Sequence, residues 1–69
     1  MYGILCILEC KNEKTVKKYL KDEGDILLIK NLDTAKDLTR WYNNTQSTDF
    51  DGIKYHFKTV DYTTGNYVN

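Results

Sequence analysis

His56 is the only histidine in the chain and the first candidate for a general base. It sits between Lys54 and Lys58 in an alternating segment, with no Ser-centred or Gly-rich motif beside it. The pattern therefore reads as a structural or solvated histidine rather than half of a nucleophile and base pair. Cys6 and Cys10 are four apart in an apolar stretch. In a strand their Cα atoms stand about 13 Å apart, beyond disulfide reach. His56 is the only other soft ligand, so no zinc spacing exists, and both cysteines read as reduced structural thiols. Asp49 and Asp51 flank Phe50 and could hold a cation with Asp61, but they lack the count and spacing of a calcium loop and read as a solvated turn. Gly3, Gly24, Gly52 and Gly65 are isolated, which leaves no phosphate-cradling loop. Asn43-Asn44-Thr45 matches a glycosylation acceptor, a match that is accidental without a secretory leader. The inventory predicts no enzyme, no cofactor and no metal.

Any element that positions these groups belongs to one small domain spanning residues 1–69. A chain of this length buries only about 60% of the surface its unfolded form exposes, so its core is slight. Ten basic side chains balance ten acidic ones, which is not the footprint of a general nucleic-acid binder or of a DNA mimic. Hydrophobic residues make up 41% and charged residues 29%, both near globular values, and no apolar run approaches a membrane span. The opening Met-Tyr-Gly-Ile-Leu-Cys-Ile-Leu has neither the basic region nor the cleavage site of a signal peptide, so a cytoplasmic location is expected. Residues of AT-rich codons (Phe, Tyr, Met, Ile, Asn, Lys) number 29, whereas Gly, Ala, Arg and Pro number 6, so the excess of lysine reflects an AT-rich gene.

Residues 2–10 are apolar on both alternating faces and predict an interior strand, and 26–30 (ILLIK) predict a second central one. Two readings fit residues 11–24. In one, Asn12 caps a first helix over 12–23 that carries Val16, Tyr19 and Leu20 on one face. In the other, a hairpin places a strand at 15–21, with Val16 and Leu20 inward and a turn at Gly24. The helix sets Lys14 near Lys18 and Lys17 near Lys21 at repulsive spacing, which favours the hairpin. A helix is predicted over 33–46, capped by Asp33 or Thr34, with Ala35, Leu38, Trp41 and Tyr42 as its apolar stripe and Asn43-Asn44 as its end. Either Trp41 or Tyr42 must face the sheet, with the other left at the helix border. After a polar loop over 46–51, a strand over 52–62 sets Ile53, Tyr55, Phe57 and Thr59 against Lys54, His56, Lys58 and Val60. Residues 63–69 are expected to fray. The fold class is α+β, a mostly antiparallel sheet (2–10, 15–21, 26–30, 52–62) with one helix. The first-helix reading gives an α/β alternative, β-α-β-α-β.

The run Tyr19-Leu20-Lys21-Asp22-Glu23-Gly24-Asp25-Ile26-Leu27-Leu28-Ile29, followed by Leu32-Asp33-Thr34-Ala35-Lys36-Asp37-Leu38, resembles a pattern found in small accessory proteins of bacteriophages and mobile elements. There a short hairpin leads into a helix opened by an acidic, Ala-containing turn. The resemblance covers about half the chain. It implies a protein that modulates a host factor or blocks a defence system, and it carries no catalytic residues to transfer.

The function expected from these observations is protein binding without catalysis, as an inhibitor or modulator in the host cytoplasm or as a homodimer. One helix covers one sheet face, yet Leu5 and Ile7, with Leu27 and Ile29, point toward the other and call for a cover. Partner-binding candidates are therefore Leu5, Ile7, Leu27, Ile29, Tyr19, Trp41, Lys54, His56 and Lys58. The runner-up is a nucleic-acid module, in which Lys54, His56 and Lys58, or Lys17, Tyr19 and Lys21, form basic-aromatic stripes for stacking and phosphate contact. A membrane partner is not expected.

Overall fold

A computed structural model describes residues 1–68. The order is β1 (Tyr2–Cys10), β2 (Val16–Tyr19), β3 (Lys21–Asp22), β4 (Asp25–Ile26), α1 (Leu32–Thr45), β5 (Thr48–Phe50) and β6 (Ile53–Asp61). Four strands form an antiparallel sheet in the order β2-β1-β6-β5, and β3 and β4 form a separate two-stranded hairpin. With its single helix the fold is α+β, and residues 11–24 take the hairpin reading. Of the lysines that would repel along a helix, Lys17 and Lys18 fall on opposite faces of β2, Lys14 lies before it and Lys21 lies in β3.

β1 is interior, as its two apolar faces require. β6 pairs with it along its whole length, from Tyr2 opposite Asp61 to Cys10 opposite Ile53. Because cross-strand partners share a face, Ile4, Cys6 and Leu8 lie with Thr59, Phe57 and Tyr55 on the face that carries the helix, while Leu5 and Ile7 lie with Lys58, His56 and Val60 on the far side.

The expected central strand at 26–30 does not form. Tyr19 stands opposite Leu5 and Ile29 opposite Tyr2, so ten residues advance against three on β1, and seven are looped out. The looped residues make the β3–β4 hairpin, closed by Glu23 and Gly24 with φ of 51° and 89°, the left-handed pair of a type I′ turn. Ile26 ends β4, and Ile29 rejoins the sheet by exchanging two 2.8 Å bonds with Tyr2. A short apolar run is compatible with either arrangement, and a one-residue bridge satisfies it here. The polar loop expected over 46–51 likewise contains β5, joined to β6 through Asp51 and Gly52, again both at positive φ (54° and 80°).

The helix cap is Asn31, whose Oδ1 accepts from the Thr34 amide at 3.1 Å, rather than Asp33 or Thr34. Asp33 sits in the first turn, where it favours the positive end of the helix dipole. The helix runs through Asn43 and Asn44 to Thr45, because the Asn43 side chain is committed to the sheet rather than to a cap.

The second sheet face is covered from within the chain. Leu5, Ile7 and Val60 are buried, and Tyr19 packs against them. The Tyr19 ring lies over Gly3, where an added Cβ would stand 3.0 Å from it, and meets the Tyr62 ring edge-on at 5.3 Å. The tail does not fray over 63–68; the fraying expected at Asn69 lies outside the described residues. The Asp61 carboxylate accepts from the Thr63 amide at 2.9 Å, Gly65 turns the chain at φ 77°, and Tyr67 bridges to Val60. Tyr67 and Leu5 then line one hollow, with the Lys17 ammonium 5.7 Å from the Tyr67 ring centre. The cover comes from Tyr19 and the C-terminal turn of the same chain, not from a first helix over 12–23.

Of the two helix aromatics, Tyr42 faces inward, with its ring 5.1 Å from that of Phe57, and Trp41 is 53% exposed. Tyr42→Ala is expected to cost about 2 to 4 kcal/mol and Trp41→Ala less than about 1 kcal/mol. Urea denaturation of the two variants checks this, and equal losses would contradict the packing described.

Candidate functional site

The position of the helix creates the site. Ala35 and Thr39 are its two fully covered residues, small enough to bring the backbone close to β6. The Thr39 hydroxyl shares a 2.8 Å bond with that of Thr59 and donates to the Ala35 carbonyl at 2.8 Å, so this buried pair is satisfied. Asn43 then reaches the outer edge of β6. Its Oδ1 accepts from the Phe57 amide at 2.8 Å, and its Nδ2 donates to the Phe57 carbonyl at 3.0 Å. One side-chain amide thus occupies the place of a strand residue.

That attachment draws α1 toward β6 and leaves the β1–β2 half of the same face without helical cover. An open groove of about 720 Å³ results, within the size range of ligand sites. Cys6, Leu8 and Tyr55 form its floor, Val16 and Lys18 of β2 its side, and Leu20 and Ile26 its end. Leu38, then Trp41 farther from the sheet, lie on the helix flank opposite Asn43, the flank turned toward this half.

The groove floor is uncharged. Burial pushes the Cys6 thiol above its ordinary range, partly opposed by a hydrogen bond with Tyr55. Burial, with Cys6 beside it, likewise pushes the Tyr55 hydroxyl up. Both groups are neutral at physiological pH, so the floor offers apolar surface and a weakly polar pair but no thiolate nucleophile. Lys17, Lys18 and Lys21 line the margin. The arrangement is suited to holding an apolar or amphipathic segment whose polar parts are acidic.

The sequence-derived candidates do not converge. Leu5 and Ile7 are buried, and Tyr19 is half-buried against them, so the first two are core rather than contact residues. Leu27 and Ile29 are half-buried in the segment that returns to Tyr2. Trp41 is exposed on the helix. Lys54 and Lys58 are exposed on the far face, where Glu9 and Asp49 lie in register with Lys54. His56 is largely covered, with Nε2 3.8 Å from Glu9 Oε1 and a buried Nδ1 that lacks a partner among the described residues. Tyr55 and Phe57 lie on the helix side and Lys54, His56 and Lys58 share the far face, as the alternation requires. Cys6 and Cys10 are both free, and among the described residues no three His, Cys, Asp or Glu side chains gather to hold a metal. No helix among the described residues is long and apolar enough to cross a membrane.

Sequence reasoning missed the groove residues Cys6, Leu8, Leu20, Ile26 and Tyr55 as a site. The available signal was the alternation of Val16 with Leu20, set against a helix stripe too short to reach them. No protein-family model, curated protein or solved structure matches the chain.

A half-buried thiol whose pKa is raised, as that of Cys6 is, stabilises the fold fully below the unfolded thiol's range, about pH 8.5, and loses that contribution as pH rises through the folded value. Urea midpoints are therefore expected to be flat near neutrality and to fall above about pH 9, less steeply in Cys6→Val. Native Cys6 should also react with iodoacetamide at least about tenfold more slowly than in urea. Equal labelling rates in the two states would contradict a covered, neutral thiol.

Proposed function

We propose that this protein acts by holding another protein, through contacts rather than chemistry. The observation that carries the reading is the uncharged, apolar-floored groove beside the edge strand β2, rimmed by Lys17, Lys18 and Lys21. A floor of Cys6, Leu8 and Tyr55 supplies apolar contact area but no activated acid, base or nucleophile. Trp41 at 53% exposure and Phe50 at 75% add aromatic surface of the kind enriched in protein interfaces. The resemblance of residues 19–38 to accessory proteins of mobile elements supports an inhibitor or modulator role in a host cytoplasm. Dimerisation through Leu5 and Ile7 loses its motive, since the chain covers both residues itself.

The nucleic-acid reading is weaker. Its first stripe, Lys54, His56 and Lys58, shares a face with Glu9 and Asp49, whose carboxylates oppose a phosphate backbone. In the second stripe, Tyr19 is packed over Gly3 and against Tyr62, which removes a free stacking platform.

Affinity capture with the wild-type chain and with a Val16→Asp, Ile26→Asp variant separates the readings. Contact binding predicts a defined protein that survives nuclease and high salt and is lost from the groove variant. Recovery abolished by nuclease, or falling steeply between low and physiological salt, would contradict it.

A further inference from the structure

β2 is the outermost strand of the sheet, and among the described residues nothing pairs with its outer edge. The Leu20 amide donates to the Ile4 carbonyl at 2.8 Å. By antiparallel alternation Lys18 and Val16 also exchange bonds with β1, so the N–H and C=O groups of Lys17 and Tyr19 point away from the sheet. These are four backbone groups aligned as a template for one more strand. The groove opens along the same strand, on the face that carries Val16 and Lys18.

Charge selects the occupant. Residues 14–21 contain Lys14, Lys17, Lys18 and Lys21 and no acidic residue, in a chain whose total charge is zero. A second copy pairing through β2 would set these lysines against one another, and lysines on an edge strand are a common block to such self-pairing. An acidic strand meets the opposite situation: carboxylates on the face away from the groove stand beside Lys17, Lys18 rims the groove on the other face, and the added backbone completes the Lys17 and Tyr19 groups. Alternate side chains of an added strand fall on alternate faces, so those on the groove side meet Val16, Leu8 and Ile26, and apolar residues fit there.

We propose that the outer edge of β2 takes up, by strand addition, an extended segment of a partner protein in which acidic and apolar residues alternate. The inference rests on the contact reading above and names its mode. Main-chain bonds to Lys17 and Tyr19 supply affinity, the groove selects the apolar side chains, and the lysines select the charge.

The test is amide exchange of the full-length, isotope-labelled protein titrated with a synthetic peptide of alternating Glu and Val. Its Lys-for-Glu counterpart, a backbone N-methylated form and a short oligothymidylate are the comparison probes. The Glu peptide is expected to slow exchange at Lys17 and Tyr19 by at least about tenfold while leaving Val16 and Lys18, already bonded to β1, unchanged. The other two peptides should fail, and Lys17→Glu with Lys18→Glu, both exposed, should weaken binding by about tenfold or more. Binding of the Glu peptide without protection at Lys17 and Tyr19, or no binding at all, overturns strand addition yet leaves the contact reading to the capture experiment. Binding of the oligothymidylate alone overturns both. Protection of the two amides that grows with protein concentration and needs no peptide would identify a second copy as the occupant and overturn the acidic partner.

Discussion

The nine-residue pairing of β1 with β6 is the constraint on which the remaining structure depends. It joins the two ends of a short chain, and it makes β6 an interior strand that needs a second neighbour. No single strand supplies one. β5 pairs with Ile53 to Tyr55, the Asn43 amide takes both backbone groups of Phe57, and the tail takes the Thr59 carbonyl and the Asp61 amide, each at 2.9 Å. Three unrelated devices therefore complete one edge, and each also fixes something else. β5 orders the loop after the helix, Asn43 sets the helix position, and the tail carries Tyr67 toward Leu5. An unsatisfied buried backbone group costs about 1 to 3 kcal/mol, which is a large fraction of the stability a domain of this size can have.

The groove follows from the same constraint. A helix of 14 residues covers about two strands, and the Asn43 and Thr39 bonds attach it to β6 and not to β1. The apolar residues on the β2 side, Val16, Leu8 and Ile26, remain around an open hollow. A slight core makes this costly to the free protein, and contact with a partner would recover the cost. The lysines of β2 suit the proposed arrangement, since like charge disfavours pairing of two copies and opposite charge favours an acidic strand.

Much of this was legible in the sequence. Two-sided apolarity identified β1 as interior, repulsive lysine spacing favoured a hairpin over a first helix, and the strict alternation from Ile53 to Val60 assigned Tyr55 and Phe57 to one face and Lys54, His56 and Lys58 to the other. The requirement that one helix aromatic turn inward is met by Tyr42. What was not legible depends on long-range partners. Asn43 looked like a helix end because its bond to Phe57, fourteen residues away, leaves no local trace. ILLIK looked like a strand because apolarity records burial and not the manner of pairing. The tail looked disordered because the Tyr67-Val68 pair is too short to show a period, although Tyr67 finds Val60 and Lys17 in space. The cover assigned to a partner was therefore supplied by the chain, and the residues around the actual hollow were read only as core.

Residue-resolved amide exchange of the free protein tests most directly whether β6 is completed on both edges while β2 is left open. The account predicts that the Phe57 amide is among the slowest to exchange, together with the amides shared by β1 and β6, and that Lys17 and Tyr19 exchange at rates near those of exposed peptide. A fast Phe57 amide, or Lys17 and Tyr19 protected in the monomer to the same degree as Lys18, would contradict it.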